Sequence, residues 1–358
     1  MVDQINYPIH GDVLALLRYF ILSLTFFLQF FNFKIKVYKA ACLFTFSSIL
    51  LLSLHTSNNL SLIASDYSYY CKVALNPFNS LNDVISAWTQ RNFLFWPVLN
   101  IYGNIFKDCI TTFNVYMAPL YFLLFYTIVK FSKLIFNQKD NYINISMIPF
   151  VTLYLPVLLS FQNLLRSGSS FAFLAAILFF LKVNDLTKAI ICIFAGFIIH
   201  NSLILFIPII FIFNFTKRLN VYHFIGVLIF YFPLAIFTKE WFAKGLGAIG
   251  YDTYATPFIY LFTILIIFIS QYLFTFYFKA NKNLKIFSEY NKFSLLIITS
   301  IIPFIIIGLK PVVLARILLC YLFLILPIPI GILNTDFKYK KINMMILSFS
   351  ILPSLWYL

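Results

Sequence analysis

The chain has 358 residues, of which 62% are hydrophobic, 20% aromatic and only 10% charged, with a formal net charge of +15. A soluble globular domain carries about 25% charged residues, so this composition excludes one. The basic balance does not point to nucleic acid either, because most lysines fall in short loops between apolar runs, which the positive-inside rule explains more simply.

Apolar runs long enough to cross a roughly 30 Å hydrocarbon core recur from end to end. They predict an all-α polytopic integral membrane protein, a single membrane domain over 1–358 with about ten transmembrane helices, an interrupted or re-entrant helix pair, and outer-face loops. The first run, 13–31, has no basic flank and no small-residue cleavage site, and reads as a retained span. No Lys or Arg precedes it up to Asp12, whereas Lys34, Lys36 and Lys39 follow it, which sets the N-terminus outside and this connection in the cytoplasm. Arg18, near the outer end of that span, is placed to snorkel.

A second span, 37–55, leads to an outer-face region of about 56–110. It carries Asp66, Tyr67 and Tyr70, then a turn at Asn76-Pro77-Phe78-Asn79, and it ends its polar part at Gln90-Arg91. A carboxylate beside tyrosines suits sugar binding, since aromatic rings stack on apolar sugar faces and carboxylates accept hydroxyl protons. On the residues alone, an interfacial aromatic belt is the plainer reading.

The apolar run 93–106 would measure about 21 Å as a helix, too short to span, and reads as re-entrant or interfacial. A span at 111–131 ends in Lys130, Lys133 and Lys139 on the cytoplasmic side, and 143–161, with Pro149 and Pro156, returns as a kinked span. Cys71 and Cys109 are the cysteines placed to meet outside; Cys42, Cys192 and Cys320 lie in apolar runs, and there is no Cys-x-x-Cys pair.

Gln162 to Arg166 then reach the outside. The helix expected at 167–181 is rich in Gly168, Ser169, Ser170, Ala172, Ala175 and Ala176, which admit a close neighbour. After a turn with Lys182, Asp185 and Lys188, the segment 188–215 is interrupted by His200-Asn201-Ser202. As one helix it would measure about 42 Å and need strong tilt. As two arms it would form a hairpin with His200 at the tip, and the lysines favour this, because Lys217-Arg218 and Lys279, Lys282, Lys285 and Lys292 then all stay cytoplasmic. A span at 222–237 leads to a second outer loop, 238–256, with Lys239, Glu240, Trp241, Lys244 and Asp252; further spans follow at 257–278, 293–309, 312–333 and from 343 to the end.

Gly245-Leu-Gly247-Ala-Ile-Gly250 matches a dinucleotide fingerprint as a string but follows an apolar span and has no acidic residue about twenty positions on, so it reads as flexible loop. His10, His55, His200 and His223 are scattered with no acidic neighbour at i+3 or i+4, and no Gly-x-Ser-x-Gly elbow occurs; no metal and no cofactor is expected. Three of the five arginines, Arg91, Arg166 and Arg316, fall at outer ends of apolar segments, against the positive-inside bias. A guanidinium stays charged and binds phosphate bidentately, so these three suit a pyrophosphate at the outer leaflet; snorkelling to lipid headgroups competes, most for Arg91.

Asp66, Tyr67 and Tyr70, then Arg166 with its small-residue helix, then His200-Asn201-Ser202, then Ala315-Arg316-Ile317 with Tyr321-Leu322 and Pro327 follow one another in an order that resembles the EpsG-like branch of the Wzy-type polysaccharide polymerases. Gln90-Arg91-Asn92 stands where that branch usually has an acidic residue. The resemblance implies a metal-independent glycosyltransferase of the bacterial cytoplasmic (inner) membrane that joins polyprenyl-pyrophosphate-linked oligosaccharide repeats on its outer face, as in O-antigen or capsule synthesis. It implies Arg166 and Arg316, with Arg91, on pyrophosphate; Asp66 or His200 on the acceptor proton; and Tyr67, Tyr70 and Asp252 on sugar. Lipid-linked glycans and membrane lipids are then the partners, with a chain-length regulator and a flippase as further candidates. A lipid-linked oligosaccharide flippase and an O-antigen ligase are the alternative functions.

Overall fold

The structure, a computed structural model, describes residues 33–60, 66–76, 95–154, 165–200, 206–215, 220–246, 284–308 and 326–334, with isolated positions between them. The spans expected at 13–31, 257–278, 343–358 and over most of 312–333 lie outside the described residues. What is described is mostly helical: β1 (Lys34–Lys36), α1 (Val37–Leu60), α2 (Asp66–Leu75), α3 (Phe95–Phe106), α4 (Cys109–Ile135), β2 (Tyr142–Asn144), α5 (Met147–Leu153), α6 (Leu165–Lys182), α7 (Leu186–Ile199), α8 (Ile207–Phe215), α9 (Val221–Leu246), α10 (Leu284–Ile306) and α11 (Pro327–Leu333). Two helices are long and apolar enough to cross a membrane, Val37–Thr56 within α1 and Cys109–Ile135, which is α4. At 27 residues α4 measures about 40 Å.

α4 is the axis of the bundle, with α1 on one side and α6 on another. α1 and α4 run antiparallel. Phe44 stacks on Phe125 at 4.7 Å and meets Tyr121 edge-on at 6.3 Å, while nearer the other end Asn114 Nδ2 donates to Ser53 Oγ at 2.7 Å. Between helices that cross a membrane no water is expelled, and ring geometry, close packing and interhelical hydrogen bonds of this kind are what supply attraction there.

The two ends of the bundle differ in chemistry. At one, β1 pairs antiparallel with β2 in the register Lys34↔Asn144, Ile35↔Ile143, Lys36↔Tyr142, and the Val37 N–H continues the ladder to the Asn141 carbonyl. Lys133 is buried there and pairs with Asp140 at 2.7 Å, and Lys130 donates to Asn141. Both α4 and α6 stop at this end in the same way. Asn137 (φ 53°) and Asn184 (φ 61°) take the left-handed conformation, and the next N–H bonds five residues back, Gln138 to Lys133 and Asp185 to Phe180. That is the Schellman stop, which asparagine tolerates better than any other non-glycine residue. Asp185 then caps α7, accepting from the Lys188 N–H at 3.2 Å. At the opposite end Cys71 of α2 and Cys109 of α4 form a disulfide, Cα to Cα 5.4 Å.

Several expected boundaries move. Residues 142–144 are strand and α5 ends at Leu153, so 143–161 is not one kinked helix: Ile143 is held by the ladder to β1 before the helix begins. Within the region 56–110, α1 runs on to Leu60, residues 66–75 form the helix α2, and α3 lies where the short apolar run 93–106 was expected. The outer loop does not begin at 238, because α9 continues to Leu246, and Lys239 donates to the Ile307 carbonyl at 2.9 Å, satisfying an end-of-helix acceptor of α10.

Candidate functional site

The sequence-predicted residues divide by where they fall. Arg91, Arg316 and Asp252 lie outside the described residues. Asp66 and Tyr67 form the first turn of α2 and Arg166 the first turn of α6, and of these three the backbone alone is described. Tyr70 and His200 are described in full.

Tyr70 is the one reassigned. It is 2% exposed, with its ring 5.6 Å from Phe95 and 5.5 Å from Trp96, so it serves packing and has no face open to a sugar. Phe95 in turn meets Tyr116 edge-on at 5.6 Å, and the Tyr116 hydroxyl lies 3.0 Å from Ser169 Oγ. A continuous stack of rings and hydroxyls therefore links α2, through α3 and α4, to α6. Asp66 stands one turn from Tyr70 on α2, and Arg166 one turn from Ser169 on α6. The two candidate groups head helices joined by that stack.

α6 and α7 form a tight antiparallel hairpin around the Asn184 turn. Gly196 sits against α6 so closely that a Cβ there would come 2.8 Å from Phe173 Cβ and 2.7 Å from Leu203 Cδ2. Carrying that register on by one turn sets the end of α7 level with Ser169 and Ser170, both buried. There the helix stops: His200 is its C-cap, extended at φ −153° and ψ 110°, with its N–H on the Gly196 carbonyl at 2.9 Å. Short turns, Leu203 N–H to His200 and Phe206 N–H to Leu203, carry the chain into α8.

α8 heads back to the end from which α7 came. Its Phe213 meets Phe131 of α4 at 6.4 Å and lies 5.8 Å below the Lys182 ammonium. The segment 188–215 is thus broken at His200, and both arms lead to the lysine end. His200, half-buried, lies at the turn between them.

α11 completes the picture. Ser132 Oγ donates to the Pro327 carbonyl and Asn334 bonds Gln138 at 2.7 Å, so this segment runs toward the lysine end alongside α4. Phe323, seven residues after Arg316, stacks on Phe171 at 4.7 Å, five residues after Arg166.

The electrostatics at the edges are simple. Thr111, through its side chain and its backbone N–H, holds the Asp108 carboxyl below the usual carboxylate range, with Thr111 N to Asp108 Oδ2 at 2.7 Å; Lys188 does the same for Asp185. Among the described residues no three His, Cys, Asp or Glu side chains gather in a metal-binding group.

Sequence reading noted Asn100 and Ser169 without their partners and did not single out Ser53, Asn114 or Tyr116. Each is a polar residue in an apolar run, which marks it as costly, but which partner it meets depends on helix register. No family model matches the chain, and no curated protein or solved structure matches it.

Proposed function

We propose that this chain is a polysaccharide polymerase of about ten membrane spans that joins lipid-pyrophosphate-linked oligosaccharide repeats at the outer face of a bacterial cytoplasmic membrane. The observation that carries the reading is the helix break at His200, level with the buried serines of the helix that Arg166 opens. Broken helices inside a bundle are sites where backbone and polar side chains face a cavity or ligand rather than lipid. The resemblance in residue order supplies the reaction class.

Two independent signals support the orientation. Lysines crowd one end, which favours the cytoplasm, and a disulfide closes the other, which favours an oxidising compartment. The first turns of α2 and α6 are at the disulfide end.

In the proposed reaction an acceptor sugar hydroxyl attacks the anomeric carbon of the donor chain; the bond from that carbon to the pyrophosphate oxygen breaks, and the polyprenyl pyrophosphate leaves with both electrons. Arg166 and Arg316, with Arg91, would neutralise the leaving charge, a fixed-charge role that needs no metal. The proximity of Phe323 to Phe171 supports a shared site for the first two. Asp66 or His200 would take the acceptor proton. Tyr67 and Asp252 keep their proposed sugar contacts.

The test is complementation of a strain lacking this gene with Arg166→Ala and Arg316→Ala, with membrane levels checked and surface polysaccharide length read on a gel. Collapse from long chains to a single capped repeat is the expected result. Normal length in both variants would sink the pyrophosphate assignment, and loss of even the single repeat would indicate a flippase or a ligase instead.

A further inference from the structure

α2 has ten residues, about 15 Å, too few to hold a helix without outside contacts. Those contacts are concentrated. Asn100 of α3, 3% exposed, donates through Nδ2 to the Val73 carbonyl at 2.9 Å, to Ala74 at 3.2 Å and to Asn76, so one side-chain amide caps the carbonyls that end α2. Asn104 Nδ2 donates to Asn100 Oδ1 at 2.9 Å and fixes which way that amide faces. One turn from Asn100, Gly103 lies so close that a Cβ there would stand 2.1 Å from the Ala74 oxygen. Cys71 is bonded to Cys109, and Tyr70 is boxed by Phe95 and Trp96.

These contacts hold residues 70–76, the second half of α2, and so fix the axis along which the helix runs back to its first turn, with Asp66 and Tyr67.

We propose that Asn100 is a positioning residue that, together with the Cys71–Cys109 bond, sets the first turn of α2 where it engages the sugar hydroxyls of the acceptor repeat. The inference rests on the polymerase reading. It predicts that loosening the latch weakens use of the acceptor without abolishing the chemistry, because the phosphate-binding arginines are carried by other segments. A purely structural residue would behave otherwise: its loss lowers the amount of folded enzyme, which reduces apparent kcat and leaves KM where it was.

The experiment uses the full chain in proteoliposomes, with the lipid-linked single repeat extracted from the host strain lacking this gene as the probe. Asn100→Asp keeps the size of the side chain and puts an oxygen where three carbonyls need a donor. It is expected to raise the apparent KM for the repeat about tenfold with kcat within about twofold. Reducing the folded wild-type protein is the second perturbation; it should move KM the same way and leave a Cys71→Ala/Cys109→Ala variant unmoved. Wild-type protein that extends the repeat, with KM unchanged by both perturbations, overturns this inference alone. Wild-type protein that does not extend the repeat overturns the polymerase reading and this inference with it.

Discussion

Tyr116 and Asp108 sit two turns apart on α4 and show how much a single polar atom decides. The Tyr116 hydroxyl, fully inside the bundle, has Ser169 as its partner at 3.0 Å. Tyr116→Phe should therefore cost about 1 kcal/mol, the usual net worth of one buried hydrogen bond, read as a lower thermal midpoint in detergent. Asp108 is exposed and acts as the N-cap of α4. Its folded pKa lies below the ordinary 3.8, so its contribution is full above that value and is lost as the pH falls through the lower, folded value. Below about pH 4 the wild type should lose thermal stability more steeply than Asp108→Asn, which caps nearly as well and does not titrate. Parallel slopes for the two would show that the cap's charge contributes nothing. The Asp108 cap lies within reach of sequence reasoning, since an aspartate at the head of an apolar run is a helix-start signal, although the span was expected only from 111. Tyr70 does not, because its role depends on Phe95 and Trp96, more than twenty residues away.

At the scale of elements, contacts closer than a side chain allows fix helix pairs. At Gly103 the obstacle to a Cβ is the Ala74 backbone itself, which cannot swing aside. Gly103→Ala should cost at least about 1–3 kcal/mol and separate α2 from α3, seen as a lower melting temperature and faster reduction of the Cys71–Cys109 bond. At Gly196 the neighbours include the tip of Leu203, a side chain that can turn, together with Phe173 Cβ, which cannot. Gly196→Ala should therefore push α7 off α6 and disturb the level of His200. On the proposed polymerase function, a drop in polysaccharide chain length at normal membrane abundance would check this, and unchanged length would show that the α6–α7 spacing does not matter to it. Helix existence was readable from apolar runs and from the His200-Asn201-Ser202 interruption. Residues 142–144 were not, since a three-residue strand has too little period to see and exists only because Lys34–Lys36 lies beside it.

The described bundle is polarised, with Lys34, Lys36, Lys130, Lys133 and Lys139, the β-ribbon and both Schellman turns at one end and the disulfide at the other. This polarity yields a direct topology measurement. In a chain with Cys42, Cys192 and Cys320 changed to Ser and the disulfide kept, Lys107→Cys should react with an impermeant maleimide on intact cells. Lys139→Cys should react after the membrane is opened. Both lysines are exposed and stand at opposite ends of α4, about 40 Å apart. The reverse pattern would invert the proposed orientation.

Sequence alone pointed to a membrane and to a helical architecture, because those expectations follow from composition and from how far an apolar run reaches. It also singled out Arg166, at an outer helix end against the positive-inside bias, and the interruption at His200-Asn201-Ser202. Which residues meet across helices was decided by tertiary structure: the stack from Tyr70 through Phe95 and Tyr116 to Ser169, the Asn100 cap on α2 and the return of α8 beside Lys182. The reason is physical. Burial and charge are properties of a residue and its near neighbours in sequence, whereas a hydrogen bond or ring contact across two helices depends on their rotation and sliding register, which many distant contacts fix together.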